Sequence, residues 1–570
     1  MKSNFVFRIK ILSFCILAFA LILISKLFLV QVVNAGLYAK EANHQYVTPS
    51  SDIFERGTIY FQDKKGGLVS AATQTLGFKV AIEPAKINDT EVLYQELSKI
   101  FELDKEDFFS KAKKKQDPYE EIATHLSKEQ ADQISALKIS GVKVFQEKWR
   151  FYPGGNMSAH TLGFVGYKDD SLGGRYGLER QYDSVLVRDK DNPYVNFFAE
   201  VFSNINKTLF ENDLKKGDIV TTIEPNVEAF LEKELASVKN TYNVDSIGGI
   251  IMNPTDGSIY AISVKPDFDV NNFSKVKTAS TFSNPIVENV LEFGSVVKPL
   301  VMAAALDQKV LTAETKYNDT GSVIVEKKQI FNFDKKGRGP GTSMQDVLNQ
   351  SLNTGMVLAY QKLGKKNMRD YMLAYGIKEK TGIDLPNETS GLVANLNSPR
   401  ELEYANAAFG QGIALTPIEM VRALASLGNG GVLVTPHLVD KIIYDNNTEK
   451  KLTYPTAPTK ISKETASEIT RMLVTVMDKS LKNGNAKFDH HSVAVKTGTA
   501  QVANLDGGGY YEDRHTHSFF GYFPAYNPQF IVFLYAVNPK GVPYASQTWA
   551  DPFIRITKFL INYYEVPPDR

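Results

Sequence analysis

The chain has 570 residues, too many for one compact core, which implies two or three folded units. Its hydrophobic fraction of 43% and charged fraction of 23% are ordinary for globular protein, and a net charge of +1 with scattered Lys and Arg argues against a nucleic-acid partner. A single cysteine, Cys15, excludes an intramolecular disulfide and leaves a Cys-ligated zinc site without ligands.

At the N-terminus, Lys2, Arg8 and Lys10 precede an apolar run from Ile11 to Ser25, which continues after Lys26 as Leu27 to Val33. That run is long enough to cross a hydrocarbon core of roughly 30 Å as one helix, and Lys26 is placed to snorkel toward the far interface. Val33-Asn34-Ala35 resembles a signal cleavage site, but signal cores are shorter, about 7–15 residues, which favours an uncleaved anchor. The flanking cations predict residues 1–10 as a cytoplasmic tail and everything after Val33 outside the cytoplasmic membrane.

From 34 to 215 the sequence is mixed and polar. Phe78 to Ile82 reads as a strand, Glu91 to Phe101 as an amphipathic helix, and Lys111 to Lys115 and Asp189 to Asp191 as solvated charge runs. No catalytic constellation occurs there, so it reads as a scaffold or interaction domain. A second domain, 216–570, opens with a strand at Asp218 to Ile223 and a helix from Pro225 to about Val238. Two apolar runs, Gly248 to Met252 and Ser258 to Ile262, flank Asn253-Pro254-Thr255-Asp256-Gly257 and predict a hairpin. The middle, from about Phe293 to Leu427, reads as mostly helical. Gln529 to Val537 is strongly β-prone, and Trp549 to Tyr564 predicts a closing helix. Strands at both ends with helices between them predict an antiparallel sheet in an α+β or α/β arrangement.

Three short motifs carry chemistry. In Ser-x-x-Lys, a helical turn sets the lysine on the face of the serine, where it can accept the hydroxyl proton. The pattern starts at Ser110, Ser135, Ser140, Ser274 and Ser295, so alone it selects nothing. Ser-x-Asn occurs at Ser351-Leu352-Asn353. Lys-Thr-Gly occurs at Lys380 and at Lys496. Lys496-Thr497-Gly498-Thr499 follows the apolar run Val493-Ala494-Val495, as expected of a strand edge beside a substrate. Lys380 follows a helical stretch, Asn367 to Tyr375, and leads into a loop.

In this order and spacing the motifs resemble those of penicillin-binding proteins and serine β-lactamases. Gly294 to Pro299, Tyr404 to Pro417 with Phe409-Gly410-Gln411-Gly412, and Phe519 to Ala525 are similar to segments of class B penicillin-binding proteins, most like the septal type. Arg56 to Ile59, Arg150 to Gly166 and Gly174 to Glu179 resemble segments of the N-terminal pedestal of that class. Phe293 departs from the pattern, standing where a proline is common.

The resemblance implies an α+β transpeptidase fold, an antiparallel sheet with a helical subdomain, over residues 216–570. It adds a mixed α/β pedestal over 34–215 and a single transmembrane helix over 11–33. It implies that Ser295 attacks the carbonyl between the terminal D-alanines of a stem peptide, with Lys298 as base. Ser351 would relay a proton and Asn353 hold the substrate amide. Lys496, Thr497 and Thr499 would bind the terminal carboxylate beside Gly498, and the N–H groups of Ser295 and Thr499 would form an oxyanion hole worth about 3–4 kcal/mol per donor. No cofactor or metal is implied. The implied partners are peptidoglycan stem peptides, β-lactams, a lipid-linked wall glycosyltransferase and proteins of the division or elongation complex. Two other functions share these residues: a β-lactam hydrolase and a non-catalytic scaffold of wall synthesis. The pairs His515/His517 and His490/His491 and the run Gly507-Gly508-Gly509 read as surface, packing or loop features rather than metal or phosphate sites.

Overall fold

The computed structural model describes residues 55–168, 171–188, 216–504 and 508–570, together with Phe19 and Lys26. The expected anchor and the charge run at Asp189 to Asp191 lie outside these residues, the two N-terminal positions apart. Among the described residues, no helix is long and apolar enough to cross a membrane. The chain divides into two compact units, one built from Thr75–Trp149 and the other from Glu55–Gln74 with Arg150–Arg570.

In the smaller unit, Phe78 to Ile82 pairs antiparallel with the strand Glu120–Leu126. Helices Thr90–Ser98, Lys105–Ala112 and Lys128–Ala136 start on Asp89, Asp104 and Ser127, each of which accepts first-turn N–H groups. Their apolar faces close a core of Val80, Ile82, Leu93, Leu97, Phe108, Ile122 and Ile134. The predicted strand and helix are therefore both present.

In the larger unit, the three pedestal segments converge. Glu179, fully buried, accepts from Arg56 Nε at 2.5 Å and from Arg150 Nε at 2.6 Å, while Arg56 also reaches Asp183 at 2.7 Å. Nearby, the strand Ile59–Gln62 pairs antiparallel with Leu68 to Ala72 and parallel with Gly217–Thr221. The strand expected to open the second domain therefore joins the sheet of the pedestal segments, and its other edge takes Val439–Tyr444.

The helix α1 (Pro225–Tyr242) follows, then β1 (Ser246–Met252) and β2 (Ile259–Lys265), the expected hairpin. Next come α2 (Lys298–Asp307), α3 (Asn353–Leu363), α4 (Pro417–Gly428) and α5 (Lys463–Lys479). The chain closes with β3 (Ala494–Ala503), β4 (Tyr510–Phe523), β5 (Phe530–Val537) and α6 (Ala545–Tyr564). The five strands form one antiparallel sheet in the order β3-β4-β5-β1-β2.

Helices cover both faces of this sheet. Gly521 lets Phe553 of α6 lie on one face, where an added Cβ would meet its ring at 2.4 Å. The next residue, Tyr522, points the other way, against Gly428 of α4, and its hydroxyl meets Thr470 of α5 at 2.8 Å. Double coverage explains why β5 reads as an unbroken apolar run rather than an alternating one. The middle segment is not purely helical. It also holds two small ribbons, Lys316–Asp319 with Gly339–Ser343 and Ser322–Val325 with Lys328–Phe331.

Candidate active site

Ser295 sits in a 3-10 turn, Gly294–Val297, that runs directly into α2. Pro299 in the first turn of α2 fixes its start, and Lys298 to Ala305 are all buried. The turn is wedged between two glycine-bearing backbones. An added Cβ would meet Thr499 O at 2.7 Å on Gly294, Gly294 O at 2.1 Å on Gly410, and Phe293 O at 2.3 Å on Gly498. Gly410 also accepts from Gly294 N at 3.2 Å. The Phe409 to Gly412 segment thus backs the Ser295 turn while β3, the edge strand, runs along it. Ser518 of β4 ties the two together by donating to Phe293 O at 2.7 Å. The Phe293 ring turns away from this surface into the core, 5.1 Å from Phe533 and edge-on to it, so its bulk does not narrow the approach to Ser295.

Lys298 is fully buried, and its amine donates to Ser351 O at 2.6 Å and Asn353 Oδ1 at 2.8 Å, with Ser351 Oγ at 3.3 Å. Two carbonyl acceptors match the two N–H bonds of a neutral amine and leave its lone pair available. Burial, then the charge of Lys496, hold its pKa well below the usual lysine value. Its position at a helix N-terminus disfavours the cation further. Lys496 reaches the same hydroxyl from the opposite side, donating to Ser351 Oγ at 2.9 Å and Thr497 O at 2.9 Å. Burial lowers it to about 7.

Ser351 has φ +56°, a left-handed conformation that turns its carbonyl onto Lys298 while its hydroxyl faces both amines. Asn353 opens α3, and its side-chain N–H₂ donates to Phe331 O at 2.9 Å. Thr497 and Thr499 are half-buried on the outer face of β3, with Gly498 buried between them, and Thr499 Oγ1 accepts from Ala545 N at 3.1 Å.

The structure therefore brings Lys298, Ser351, Asn353 and Lys496 into one hydrogen-bonded network, and Gly294 of the Ser295 turn against Thr499. It orders the Lys298 amine toward the second motif rather than onto Ser295. The other Lys-Thr-Gly copy is a loop in which Glu388 accepts from Thr381 N and Thr381 Oγ1, at 2.6 and 2.5 Å. His517 is buried and hydrogen-bonded to Thr548, and among the described residues no group of three metal-ligating side chains occurs.

Two residues outside the motifs belong to the site. Asp319 and Asn332, both buried, connect the small ribbons to the start of α3. Only Asp319-Thr320-Gly321, a turn-forming triplet, signals either of them in the sequence.

Comparison with known proteins agrees with this geometry. The family profile described as penicillin binding protein transpeptidase domain matches residues 247–557, and that of the penicillin-binding protein dimerisation domain matches 54–222. The chain is 32% identical to Stage V sporulation protein D of Bacillus subtilis, over 88% of this chain and 77% of that protein. It is 25% identical to a peptidoglycan D,D-transpeptidase FtsI of Buchnera aphidicola, over 99% and 96%. Penicillin binding protein 2X of Streptococcus thermophilus superposes with a TM-score of 0.71 at 20% identity, over 90% of this chain and 80% of that one. Penicillin binding protein 3 of Mycobacterium tuberculosis, complexed with aztreonam, gives 0.69 at 20%, over 91% and 98%. With its transpeptidase and dimerisation regions both matched, and two buried lysines converging on one serine beside the turn that carries Ser295, the chain belongs to the class B penicillin-binding proteins.

Proposed function

We propose that this chain is an acyl-serine peptidoglycan D,D-transpeptidase in which Ser295 forms the acyl-enzyme. The observation that carries the reading is the convergence of the Lys298 and Lys496 amines on the Ser351 hydroxyl. A serine hydroxyl is a weak nucleophile at neutral pH and needs a base beside it. Lys298, three residues along from Ser295 and held toward its neutral form, is that base. Its proton can pass through Ser351 to the leaving D-alanine amine. Lys496, with Thr497 and Thr499, attracts the terminal carboxylate of the stem peptide. The N–H groups of Ser295 and Thr499, whose segments meet at Gly294, receive the developing oxyanion. Attack by the amine of a neighbouring stem peptide then releases the serine and completes the cross-link. β-Lactams acylate the same serine and stay there.

The relatives named FtsI and Stage V sporulation protein D support a role in division-type wall synthesis. Lys2, Arg8 and Lys10 before the apolar run support a single-pass anchor with the N-terminus inside and both folded units outside the cytoplasmic membrane.

The test is fluorescent-penicillin labelling of the full-length protein and its Ser295→Ala variant. Labelling of the first and not the second is expected. An unlabelled wild type rejects the enzyme in favour of a scaffold, and rapid turnover of the label favours a hydrolase. Protease accessibility of tags at the two termini tests the topology, and imaging at mid-cell tests the division role.

A further inference from the structure

The helix α3 carries Asn353 at its first position, yet the residue before it, Leu352, has no side chain able to cap the helix. The cap comes from elsewhere in the chain. Asn332 Oδ1 accepts from Asn353 N at 2.9 Å and from Thr354 N at 3.2 Å. Its N–H₂ group donates to both carboxylate oxygens of Asp319 at 3.0 Å and to Lys336 O at 3.2 Å.

Asp319 accepts in addition from Gly321 N at 3.1 Å, Arg338 N at 3.0 Å and Thr354 Oγ1 at 2.8 Å. Each of these donors is uncharged. A carboxylate this deeply buried is costly unless its lone pairs are fully used, so it fixes the direction of every donor around it. It therefore fixes which way the Asn332 amide faces. The preceding residue supplies Phe331 O to the Asn353 side chain at 2.9 Å. Phe331 and Asn332 thus hold Asn353 by its side chain and its backbone together, and Asn353 Oδ1 lies 2.8 Å from the Lys298 amine.

We propose that Asn332, oriented by Asp319, is a positioning residue for acylation: it caps α3 across space and so holds Asn353 on the catalytic amine. The inference rests on the reading of Lys298 as the base. A wandering Asn353 would leave the amine without one of its two carbonyl acceptors and misplace it relative to Ser295 and Ser351.

The experiment compares full-length wild type, Asn332→Ala, Asp319→Asn and the exchange Asp319→Asn/Asn332→Asp. For each, the fluorescent-penicillin acylation rate is measured across pH, and Tm alongside. In Asn332→Ala the plateau rate is expected to fall about 10- to 100-fold, the range lost when a supporting group lets a catalytic one drift. The acid limb of the profile is expected to move to lower pH, because the protonated Lys298 loses an acceptor that stabilises it. Asp319→Asn, which preserves volume and guards against a misfolded alanine variant, is expected to move both quantities the same way. The exchange restores one donor and one capping oxygen and is expected to recover most of the rate. A loss that merely follows the folded fraction, equal at every pH with the acid limb unmoved, overturns the proposal and leaves Asn332 as a structural cap. A wild type that is not acylated brings down the transpeptidase reading and this inference together. Normal wild-type acylation with unchanged variants brings down this inference alone.

Discussion

Lys298 and Lys496 are both fully buried, and their amines approach one hydroxyl, that of Ser351, at 3.3 and 2.9 Å. Neither amine has a carboxylate partner among its hydrogen bonds. Burial disfavours both charges, and the Lys496 cation disfavours that of Lys298 further, which suits the pair to the proposed roles of base and anion receptor.

That division sets the pH profile. In the proposed mechanism, acylation by a carboxylate-bearing penicillin needs Lys298 neutral and Lys496 charged. The second-order rate is expected to fall in acid as Lys298 takes a proton, and to fall again as pH rises through about 7 and Lys496 loses its own. Glu292, pushed up to about 7 by burial, titrates in the same window, so the profile is measured in Glu292→Gln as well. A limb near 7 that persists in this variant belongs to Lys496. A profile flat from about pH 6 to 9 contradicts the assignment.

Stability should show the cost of the buried base. The unfolded chain binds a proton at Lys298 that the folded chain does not, over the window between the depressed folded pKa and the ordinary lysine value. Within that window the lysine destabilises the fold increasingly as pH falls, by at most about 1.4 kcal/mol per pH unit. The Tm of Lys298→Met relative to wild type is therefore expected to rise as pH is lowered from about 10 to 6, although this variant cannot be acylated. A constant difference would mean that Lys298 stays charged in the fold.

The Ser295 turn leaves no room for a side chain behind it. A Cβ on Gly410 would lie 2.1 Å from Gly294 O, and Gly410 has φ +81°. Gly410→Ala is expected to reduce acylation by 100-fold or more (about 3 kcal/mol). Gly364→Ala, also at positive φ but with nothing within 4 Å of the new carbon, is the control for backbone strain alone. It is expected to lower Tm and leave acylation intact. Equal losses in the two variants would reduce the turn's tightness to a matter of strain.

The pedestal segments depend on Glu179. Removing its charge leaves Arg56 and Arg150 buried and facing each other, so Glu179→Gln is expected to destabilise by about 3–5 kcal/mol in chemical denaturation. Asp183→Asn, at a carboxylate with 42% of its side chain exposed, is expected to cost less than about 1 kcal/mol. Comparable effects would mean that Asp183 can take over from Glu179.

Much of the site was legible because its parts are local. Ser295 and Lys298 lie one helical turn apart, Ser351 and Asn353 flank a single residue, and Lys496 to Thr499 form one stretch of strand. The choice of Lys496 over Lys380 followed from the apolar run before it, and the structure shows the second copy as a loop held by Glu388. The helices α1 and α6 and the hairpin of β1 and β2 were equally readable from periodicity and turn residues. The hub of Asp319 and Asn332 was not, because its members are brought to Asn353 by two ribbons of four- and five-residue strands inside a segment whose dominant pattern is helical. The turn of the Lys298 amine toward Ser351 was equally hidden. It depends on one left-handed φ at a residue that is not glycine.

Three backbones meet without side chains at Gly294, Gly410 and Gly498. A drug-exposed population has no adaptive route through that junction, since every other residue there removes the nucleophile's seat along with the drug's. Escape from β-lactams has to be sought at positions where side chains have room to change.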